Sequence, residues 1–209
     1  KKNKTVFIPV DSEHFSLWYG LKNNNDRIEK IYLTASGGPF INLPLKKFEK
    51  VNVNQALKHP NWKMGKKITV DSATMMNKIF EIIEARNIFD ISYKKITFLT
   101  HPKSYIHSII KFKNGLIKLI AHDTSMKIPI FNSIYSNNSI KEFKSNKLDI
   151  YKLNNLDLRK IDSKRFPVTN ILKNIPLKNS FFETILVSAN DELVKQFLRK
   201  KIKFTDISK

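Results

Sequence analysis

The sequence HPNWKMGKKITVDSATMMNK, from His59 to Lys78, joins a polar loop to the beginning of a long helix. The loop, His59 to Lys67, contains a tryptophan, a glycine and several lysines, and polar surface loops of this kind are commonly mobile. From Val70 to Phe89, apolar residues recur close to helical spacing, and Asp71 or Ser72 is expected to cap the helix. The stretch therefore predicts a mobile loop followed by a helix with polar side chains at its start.

Runs rich in β-branched and aromatic residues surround this stretch and predict a sheet. The predicted strands are Thr5–Val10, Lys30–Ala35, Lys95–Thr100, Ser108–Phe112 and Leu116–Ala121. Asn114-Gly115 lies between the last two strands and is typical of a hairpin turn. Gly37 and Gly38 follow the second strand and permit a tight turn there. A short helix is expected from Val53 to Leu57.

We predict an α+β fold in which a mixed sheet is backed by helices and followed by part of a helical C-terminal domain. Residues 1–131 are expected to form the first domain. Residues 132–165 are expected to form a linker, because the sequence from Asn132 to about Leu156 is polar and low in complexity. Residues 166–209 carry apolar residues at helical spacing and are expected to form the helical part.

The composition excludes several classes of protein. The chain has 209 residues and a formal net charge of +20, and the lack of cysteine excludes disulfides, zinc–thiolate sites and cysteine nucleophiles. The basic residues are dispersed, which favours a solvated surface that attracts small anions over a nucleic-acid-binding patch. No apolar stretch reaches the roughly 18 residues of a membrane span. We therefore expect a soluble protein without nucleic-acid or membrane partners.

Two pairs of acidic residues have the spacing of candidate metal ligands. Asp11 and Glu13 are two residues apart and would share one face of a continuing strand, so their oxygens could grip one cation. Glu81 and Glu84 are three residues apart and share one face of the predicted helix. A metal-binding spacing is not formed by His59, His101 and His107. A solvated acidic surface is the alternative interpretation of each pair, and spacing alone favours it.

The turn after the second strand and the start of the long helix are candidate anion sites. Ser36 and the two glycines after it offer a hydroxyl and backbone N–H groups, and Ser72 would lie at the positive end of the helix. Asn77 and Lys78 would add a donor and a positive charge. A plain turn and a plain helix cap are the alternatives. Trp62 is either a surface aromatic residue or part of a lid over a ligand.

Six sequence motifs occur in the order found in one enzyme family. They are PVDSEH (Pro9–His14), SGGPF (Ser36–Phe40), HPNWKMGKKITVDSATMMNK (His59–Lys78), EARNIF (Glu84–Phe89), HPKSYIHS (His101–Ser108) and SANDE, which ends at Glu192. In these motifs the chain resembles the 1-deoxy-D-xylulose 5-phosphate reductoisomerases of non-mevalonate isoprenoid biosynthesis over nearly its whole length. The resemblance implies a metal-dependent rearrangement of that phosphorylated substrate and its NADPH-dependent reduction to 2-C-methyl-D-erythritol 4-phosphate.

The resemblance also implies roles for individual residues. Asp11, Glu13 and Glu81 would bind a divalent cation, Mg²⁺ or Mn²⁺, with Co²⁺ as a further candidate. The substrate-binding residues that it implies are Ser12, Glu13, Ser36, His59, Trp62, Met64, Ser72, Asn77, Lys78 and Glu81. The catalytic residues among them would be Glu13, His59, Lys78 and Glu81. Gly65, within the flap 59–67, would contact NADPH.

The resemblance further implies a homodimer formed through the sheet of the catalytic domain, residues 1–131, and a cytoplasmic location, with the plastid stroma as the alternative. The family's dinucleotide-binding domain precedes the PVDSEH motif, and the five glycines here form no GxGxxG spacing, so we expect this chain to lack that domain. Ile79 also stands where the family has glycine. Two alternative functions remain. One is a non-catalytic protein that binds a metal and a phosphorylated metabolite. The other is a nucleic-acid-binding module, which only the net charge supports.

Overall fold

The computed structural model describes residues 7–135, 142–178 and 180–209. The strands are β1 (Ile28–Ala35), β2 (Ile96–Thr100), β3 (Ile106–Phe112) and β4 (Ile117–Ala121). The α-helices are α1 (Ser12–Leu21), α2 (Val53–Ala56), α3 (Lys66–Thr74), α4 (Met76–Phe89), α5 (Lys127–Ile134), α6 (Ile150–Asn154) and α7 (Phe181–Leu198). Short 3-10 helices occur at Gly38–Phe40, Leu45–Lys50, Tyr93–Lys95, Pro167–Lys173 and Phe204–Ser208.

The four strands form one mixed sheet in the order β2-β1-β3-β4. β1 pairs in parallel with β2, where Leu33 is in register with Phe98, and it pairs antiparallel with β3. β3 and β4 form the predicted hairpin, and its turn residue Gly115 has a φ of 88°, which favours glycine. In the described chain β4 pairs with β3 alone, so it forms an edge of the sheet. The mixed sheet of the predicted α+β fold is confirmed.

Helices α1 and α4 cover this sheet. α1 contacts β3 and β4, α4 contacts β1 and β2, and the two helices contact each other. Leu17, Leu33, Ile79 and Ile110 are fully buried in the core that they share. Each such side chain contributes about 1.5–3 kcal/mol through burial of apolar surface. This packing fixes the beginning of α1 relative to α4.

A second apolar cluster joins α3 to the C-terminal part of the chain. It contains Val70 of α3 together with Val194 and Phe197 of α7. The ring of Phe204 packs edge-on against Phe40 and Phe197, with centroids 5.0 and 5.7 Å apart. The position of α3 is therefore set by its contacts with α7 as well as by its contacts with α4.

The chain before α1 differs from the prediction. A strand was predicted from Thr5 to Val10. Its first two residues lie outside the described chain, and the prediction is wrong for residues 7–10, which form no strand. Asp11 instead caps α1, and its carboxylate accepts hydrogen bonds of 3.2 Å from the backbone N–H groups of Glu13 and His14. Pro9 has no N–H group to donate to a sheet, whereas aspartate is a favourable N-cap. Asp11 and Glu13 are therefore not neighbours on the face of a strand, as was expected.

The single helix predicted from Val70 to Phe89 is two helices. α3 ends one residue before Met75 and α4 begins one residue after it, because Met75 has a left-handed backbone with a φ of 70°. The expectation that Asp71 or Ser72 caps the helix is wrong, since both residues lie inside α3. The expectation that Ser72 lies at the positive end of the helix is wrong for the same reason, because α3 ends two residues after Ser72. No glycine or proline marks the break, so the local pattern could not reveal it.

The segment predicted as a linker contains regular structure. α5 extends into it, α6 lies within it, and residues 136–141 are outside the described chain. Thr100 and Arg159 exchange backbone hydrogen bonds of 2.9 Å, which tie this segment to β2. The division of the chain after residues 131 and 165 stays a prediction. No helix in the described ranges combines the length and apolar composition that a bilayer span requires.

Candidate functional site

Three carboxylates from helices α1 and α4 lie close together. Asp11 caps α1, Glu13 lies in its first turn, and Glu81 comes from α4. One oxygen atom from each carboxylate lies within 4.8 Å of the others. The buried ring of His14 joins the two helices, since its Nε2 lies 2.8 Å from the backbone oxygen of Glu81. Helix packing thus brings together the three residues predicted to bind a metal.

Each carboxylate oxygen of Glu13 and Glu81 accepts a hydrogen bond. The Nζ atom of Lys78 lies 2.8 Å from Glu13 Oε1 and 2.6 Å from Glu81 Oε2. Ser12 donates its hydroxyl to Glu13 Oε2, and Asn77 Nδ2 donates to Glu81 Oε1. Ser12, Asn77 and Lys78 were predicted to contact the substrate, and the structure places them on the carboxylates.

The pKa of Glu13 is lowered, whereas the pKa values of Glu81 and Asp11 are raised. Burial favours the neutral form of Glu13, but the Lys78 ammonium outweighs it and holds the Glu13 pKa at about 2. Burial and the nearby charge of Glu13 raise the pKa of Glu81 well above its ordinary value. Burial and Glu13 also raise the pKa of Asp11. Three carboxyl groups facing one ammonium therefore favour a further positive charge at this place.

The chemistry of these three residues fits a hard divalent cation. All their ligand atoms are carboxylate oxygens, the type that Mg²⁺ and Mn²⁺ prefer. A cation of this kind would lower the cost of keeping Asp11 and Glu81 ionised, which burial and mutual repulsion raise. It would need further oxygen ligands, because three carboxylates do not complete a six-coordinate shell.

A second polar cluster joins two serines through a histidine. His59 Nδ1 accepts hydrogen bonds from the backbone N–H groups of Asn61 and Trp62, at 3.1 and 2.9 Å. Burial lowers the pKa of His59, so the ring is neutral and its proton lies on Nε2. That nitrogen lies 3.0 Å from Ser36 Oγ and 3.1 Å from Ser72 Oγ. The two serines predicted to bind phosphate therefore lie side by side.

Gly38 allows Ser36 and Ser72 to lie this close together. Its φ is 60°, and a Cβ atom at this position would lie 2.9 Å from the backbone oxygen of Ser72 and 3.0 Å from Ala73 Cα. Its backbone N–H group donates to Ser36 Oγ at 3.1 Å. The turn after β1 can therefore approach α3 closely only because this residue has no side chain.

Both clusters line one cavity of about 290 Å³. The predicted site residues on its wall are Asp11, Ser12, Glu13, Ser36, His59, Trp62, Met64, Ser72, Asn77, Lys78 and Glu81. Gly65 is the exception, since it lines a neighbouring groove with Leu57 and Thr69. The cavity therefore offers a carboxylate side and a hydroxyl side to one small ligand.

Sequence reasoning missed several residues of the cavity. His107 and Ser104 line it, yet neither was given a role. Asn61 Nδ2 donates to Ser104 Oγ at 2.8 Å and so anchors the flap to the turn after β2. His107 packs edge-on against Trp62 and stacks on His122 with ring centroids 3.8 Å apart. The HPKSYIHS motif contained Ser104 and His107, but its spacing does not reveal that they line the same cavity as Ser72.

Two protein-family models match the chain. The first, described as the 1-deoxy-D-xylulose 5-phosphate reductoisomerase C-terminal domain, matches residues 7–89. The second, described as the DXP reductoisomerase C-terminal domain, matches residues 123–209. Together they cover both the carboxylate cluster and α7.

Curated relatives with the same name match along almost the whole chain. The 1-deoxy-D-xylulose 5-phosphate reductoisomerase of Pelagibacter ubique is 65% identical over 209 residues, which are 100% of this chain and 54% of the relative. The Sulfurihydrogenibium enzyme of that name is 42% identical over 203 residues, 97% of this chain and 54% of the relative. The chain thus spans about half the length of these relatives.

Solved structures agree in fold. A DOX-P reductoisomerase in complex with NADPH, fosmidomycin and magnesium superposes with a TM-score of 0.88 at 32% identity, covering 99% of this chain and 53% of that protein. The Zymomonas mobilis 1-deoxy-D-xylulose 5-phosphate reductoisomerase in complex with NADPH gives 0.88 at 35% identity, with the same coverage. Sequence motifs, family models and fold agree, and this chain belongs to the 1-deoxy-D-xylulose 5-phosphate reductoisomerase family.

Proposed function

We propose that this chain provides the metal- and substrate-binding part of a 1-deoxy-D-xylulose 5-phosphate reductoisomerase. The observation that carries the proposal is the shared cavity. The three carboxylates of Asp11, Glu13 and Glu81 lie on one wall, and the hydroxyl groups of Ser36 and Ser72 lie on another. A small ligand with adjacent oxygen atoms at one end and a phosphate at the other matches that arrangement. The substrate of the family has this chemistry.

The carboxylate side would carry the rearrangement. Asp11, Glu13 and Glu81 would hold Mg²⁺ or Mn²⁺, with Co²⁺ as a further candidate. The cation would act as a Lewis acid on the carbonyl and hydroxyl oxygens of the substrate. Lys78 is buried between Glu13 and Glu81, and its ammonium would keep Glu13 ionised and would orient both side chains toward the bound substrate.

The hydroxyl side would bind the phosphate. Ser36 and Ser72 would donate their hydroxyl groups, and the Nε2–H group of His59 lies between them as a third donor. Trp62 and Met64 line the same cavity from the flap and would exclude water when ligand binds. The dispersed basic surface would attract the anionic substrate.

The reductive half of the reaction would need NADPH. Two solved relatives are complexes with NADPH. We propose that the whole protein, of which this chain would form part, also binds NADPH. Gly65 is the residue of this chain that we assign to the cofactor. It lies within the flap, directly before α3, and borders a groove next to the substrate cavity.

A homodimer through the sheet is also proposed. β4 lies at the sheet edge, and its side chains Ile117 and Leu119 are about half exposed, as is Leu116 beside it. Exposed apolar side chains at a sheet edge are a liability in a monomer unless another surface covers them. Pairing of two copies along β4 would cover these residues.

Titration calorimetry tests the function directly. Mn²⁺ is titrated into the chain, and 1-deoxy-D-xylulose 5-phosphate is then titrated into the Mn²⁺-saturated chain. Saturable binding of both is expected, and the absence of divalent-ion binding would refute the proposal. Incubation with NADPH and analysis for 2-C-methyl-D-erythritol 4-phosphate distinguishes an enzyme from a binding protein. Product formed by the chain alone would rule out the non-catalytic alternative.

A further inference from the structure

A buried polar pair connects α3 with α7. Asp71 and Asn190 are each 2% exposed, and Asn190 Nδ2 donates to Asp71 Oδ1 at 2.9 Å. The other Asp71 oxygen accepts from Lys67 Nζ at 2.7 Å, and Lys67 also reaches Asp191 at 3.0 Å. Burial raises the pKa of Asp71, and the hydrogen bonds from Asn190 and Lys67 oppose that rise. Replacing Asn190 by an apolar residue would therefore leave a buried carboxylate with one partner fewer.

Apolar side chains also pack between these two helices. Val70 on α3 and Val194 and Phe197 on α7 belong to the same buried cluster. The burial of apolar surface is non-directional, so it defines the rotation of one helix on another less sharply than a hydrogen bond does. A hydrogen bond between two buried side chains is directional, and it is satisfied in one relative placement of the helices. The Asp71–Asn190 pair is therefore suited to fix the rotation of α3.

The rotation of α3 decides where the hydroxyl side of the cavity lies. Ser72 follows Asp71 directly, and its hydroxyl lies 3.1 Å from His59 Nε2. The other ring nitrogen of His59 accepts from the backbone of Trp62 at 2.9 Å. A shift of α3 would thus move Ser72 and loosen the flap at His59 and Trp62. The chain of contacts runs from α7 through Asp71 and Ser72 to the flap.

We propose that Asn190 is a positioning residue for the substrate site. By donating to Asp71 it fixes the rotation of α3, which places Ser72 and, through the contact of Ser72 with His59, holds the flap in place. The identity of the ligand rests on the proposed function, but the position of the flap does not. Asn190 touches no ligand in this scheme. It acts through Asp71.

The fluorescence of Trp62 reports the solvent exposure of the flap. Trp18 and Trp62 are the two tryptophans of the sequence, and Trp18 lies in α1, away from the flap. In a Trp18→Phe background, acrylamide quenching of fluorescence reports the solvent access of Trp62 alone. Asn190→Ala is expected to increase the quenching constant, because a loop that loses an anchoring contact opens more often. Asn190→Ser is the second variant should the alanine protein not fold.

Val194→Ala is the matched control. Val194 lies one turn after Asn190 on the same face of α7 and is 1% exposed, so its truncation weakens the same interface without removing the hydrogen bond. The urea midpoint of each variant measures the loss of stability. We expect increased quenching for the Asn190 variants and parental quenching for Val194→Ala at a comparable loss of stability. Equal quenching in both kinds of variant would overturn the proposal.

An exchange of the two side chains provides the rescue. The double variant Asp71→Asn/Asn190→Asp keeps an amide and a carboxylate at the same two positions with the donor reversed. Parental quenching is expected, and quenching as high as in Asn190→Ala would overturn the proposal. Calorimetry with 1-deoxy-D-xylulose 5-phosphate separates this inference from the proposed function. If the parent binds no substrate while the Asn190 variants still expose Trp62, the proposed function fails and the positioning role stands.

Discussion

Lys78 and Glu81, three residues apart on α4, form a buried ion pair in which Nζ lies 2.6 Å from Oε2. The same ammonium lies 2.8 Å from Glu13 on α1. One positive charge therefore faces two carboxylates directly and a third, Asp11, at short range. This imbalance is the physical reason to expect a divalent cation at the cluster.

Glu81→Gln should abolish tight binding of divalent ions. Loss of a partner that only orients a ligand costs roughly 10–100-fold in metal affinity, so loss of a ligand should cost at least about 100-fold. Calorimetry with Mn²⁺ measures the change. Glu29→Gln, which removes a half-exposed carboxylate paired with Lys111 on the sheet, is the control and should bind as the parent does. Unchanged affinity of the Glu81 variant would contradict the metal assignment.

Ser36→Ala and Ser72→Ala should each weaken binding of 1-deoxy-D-xylulose 5-phosphate. A hydrogen bond to a charged group contributes about 1.5–3 kcal/mol, which corresponds to roughly tenfold or more in the dissociation constant. Mn²⁺ affinity should stay at the parental value, since the carboxylates are untouched. Ser188→Ala, on the exposed side of α7, is the control. Parental substrate affinity in both site variants would rule out the phosphate assignment.

Gly38→Ala should destabilise the fold and separate Ser36 from Ser72. The new methyl group would lie 2.9 Å from the Ser72 backbone oxygen, in a left-handed conformation that costs about 1–3 kcal/mol for other residues. Urea unfolding measures the loss, and calorimetry measures weaker substrate binding. Gly65→Ala is the matched control for stability, because no atom lies within 4 Å of its added Cβ and its φ is negative. Equal stability of the two variants would count against the close approach.

His107 should make stability depend on pH. Burial lowers its pKa from 6.5 to about 4, so between these values the unfolded chain binds a proton that the folded chain does not. Its contribution is complete above pH 6.5 and is lost as the pH falls toward 4. Between pH 7 and pH 5 the loss should be about 2 kcal/mol.

The comparison variant for this effect is His107→Gln. Urea unfolding in EDTA at both pH values should show a smaller fall in unfolding free energy for the variant than for the parent. The histidines that do not contact His107 remain unchanged in both proteins, so their contributions cancel in the difference. An equal fall in both proteins would show that His107 is not the titrating group.

Leu119→Lys should disrupt the proposed homodimer. A charge in the middle of β4 would be buried unpaired if two copies met along this edge. Sedimentation velocity should show a dimer for the parent and a monomer for the variant. Ile185→Lys replaces an exposed apolar residue on α7 and should remain dimeric. Loss of the dimer in the α7 variant alone would place the interface elsewhere.

Local signals in the sequence predicted part of this structure. β1, β2, the β3–β4 hairpin and α2 lie within a residue or two of their expected positions, because runs of β-branched and aromatic residues and an Asn-Gly turn act over short distances. The same reasoning failed at Met75, where tertiary packing imposes a left-handed residue that no local signal marks. It also failed before α1, where a capping aspartate ended the run expected to be a strand.

The sequence by itself determined the family and the residue types of the site, because the motifs around Asp11, Ser36 and His59–Lys78 are long and specific. Only the tertiary structure decided which of those residues meet. Glu13 and Glu81 lie far apart in the chain, and they come together because α1 and α4 bury their apolar faces on one sheet. The direction of Lys78 toward the carboxylates and the bond from Asn190 to Asp71 likewise depend on helix packing. Spacing along the chain carries no information about such contacts.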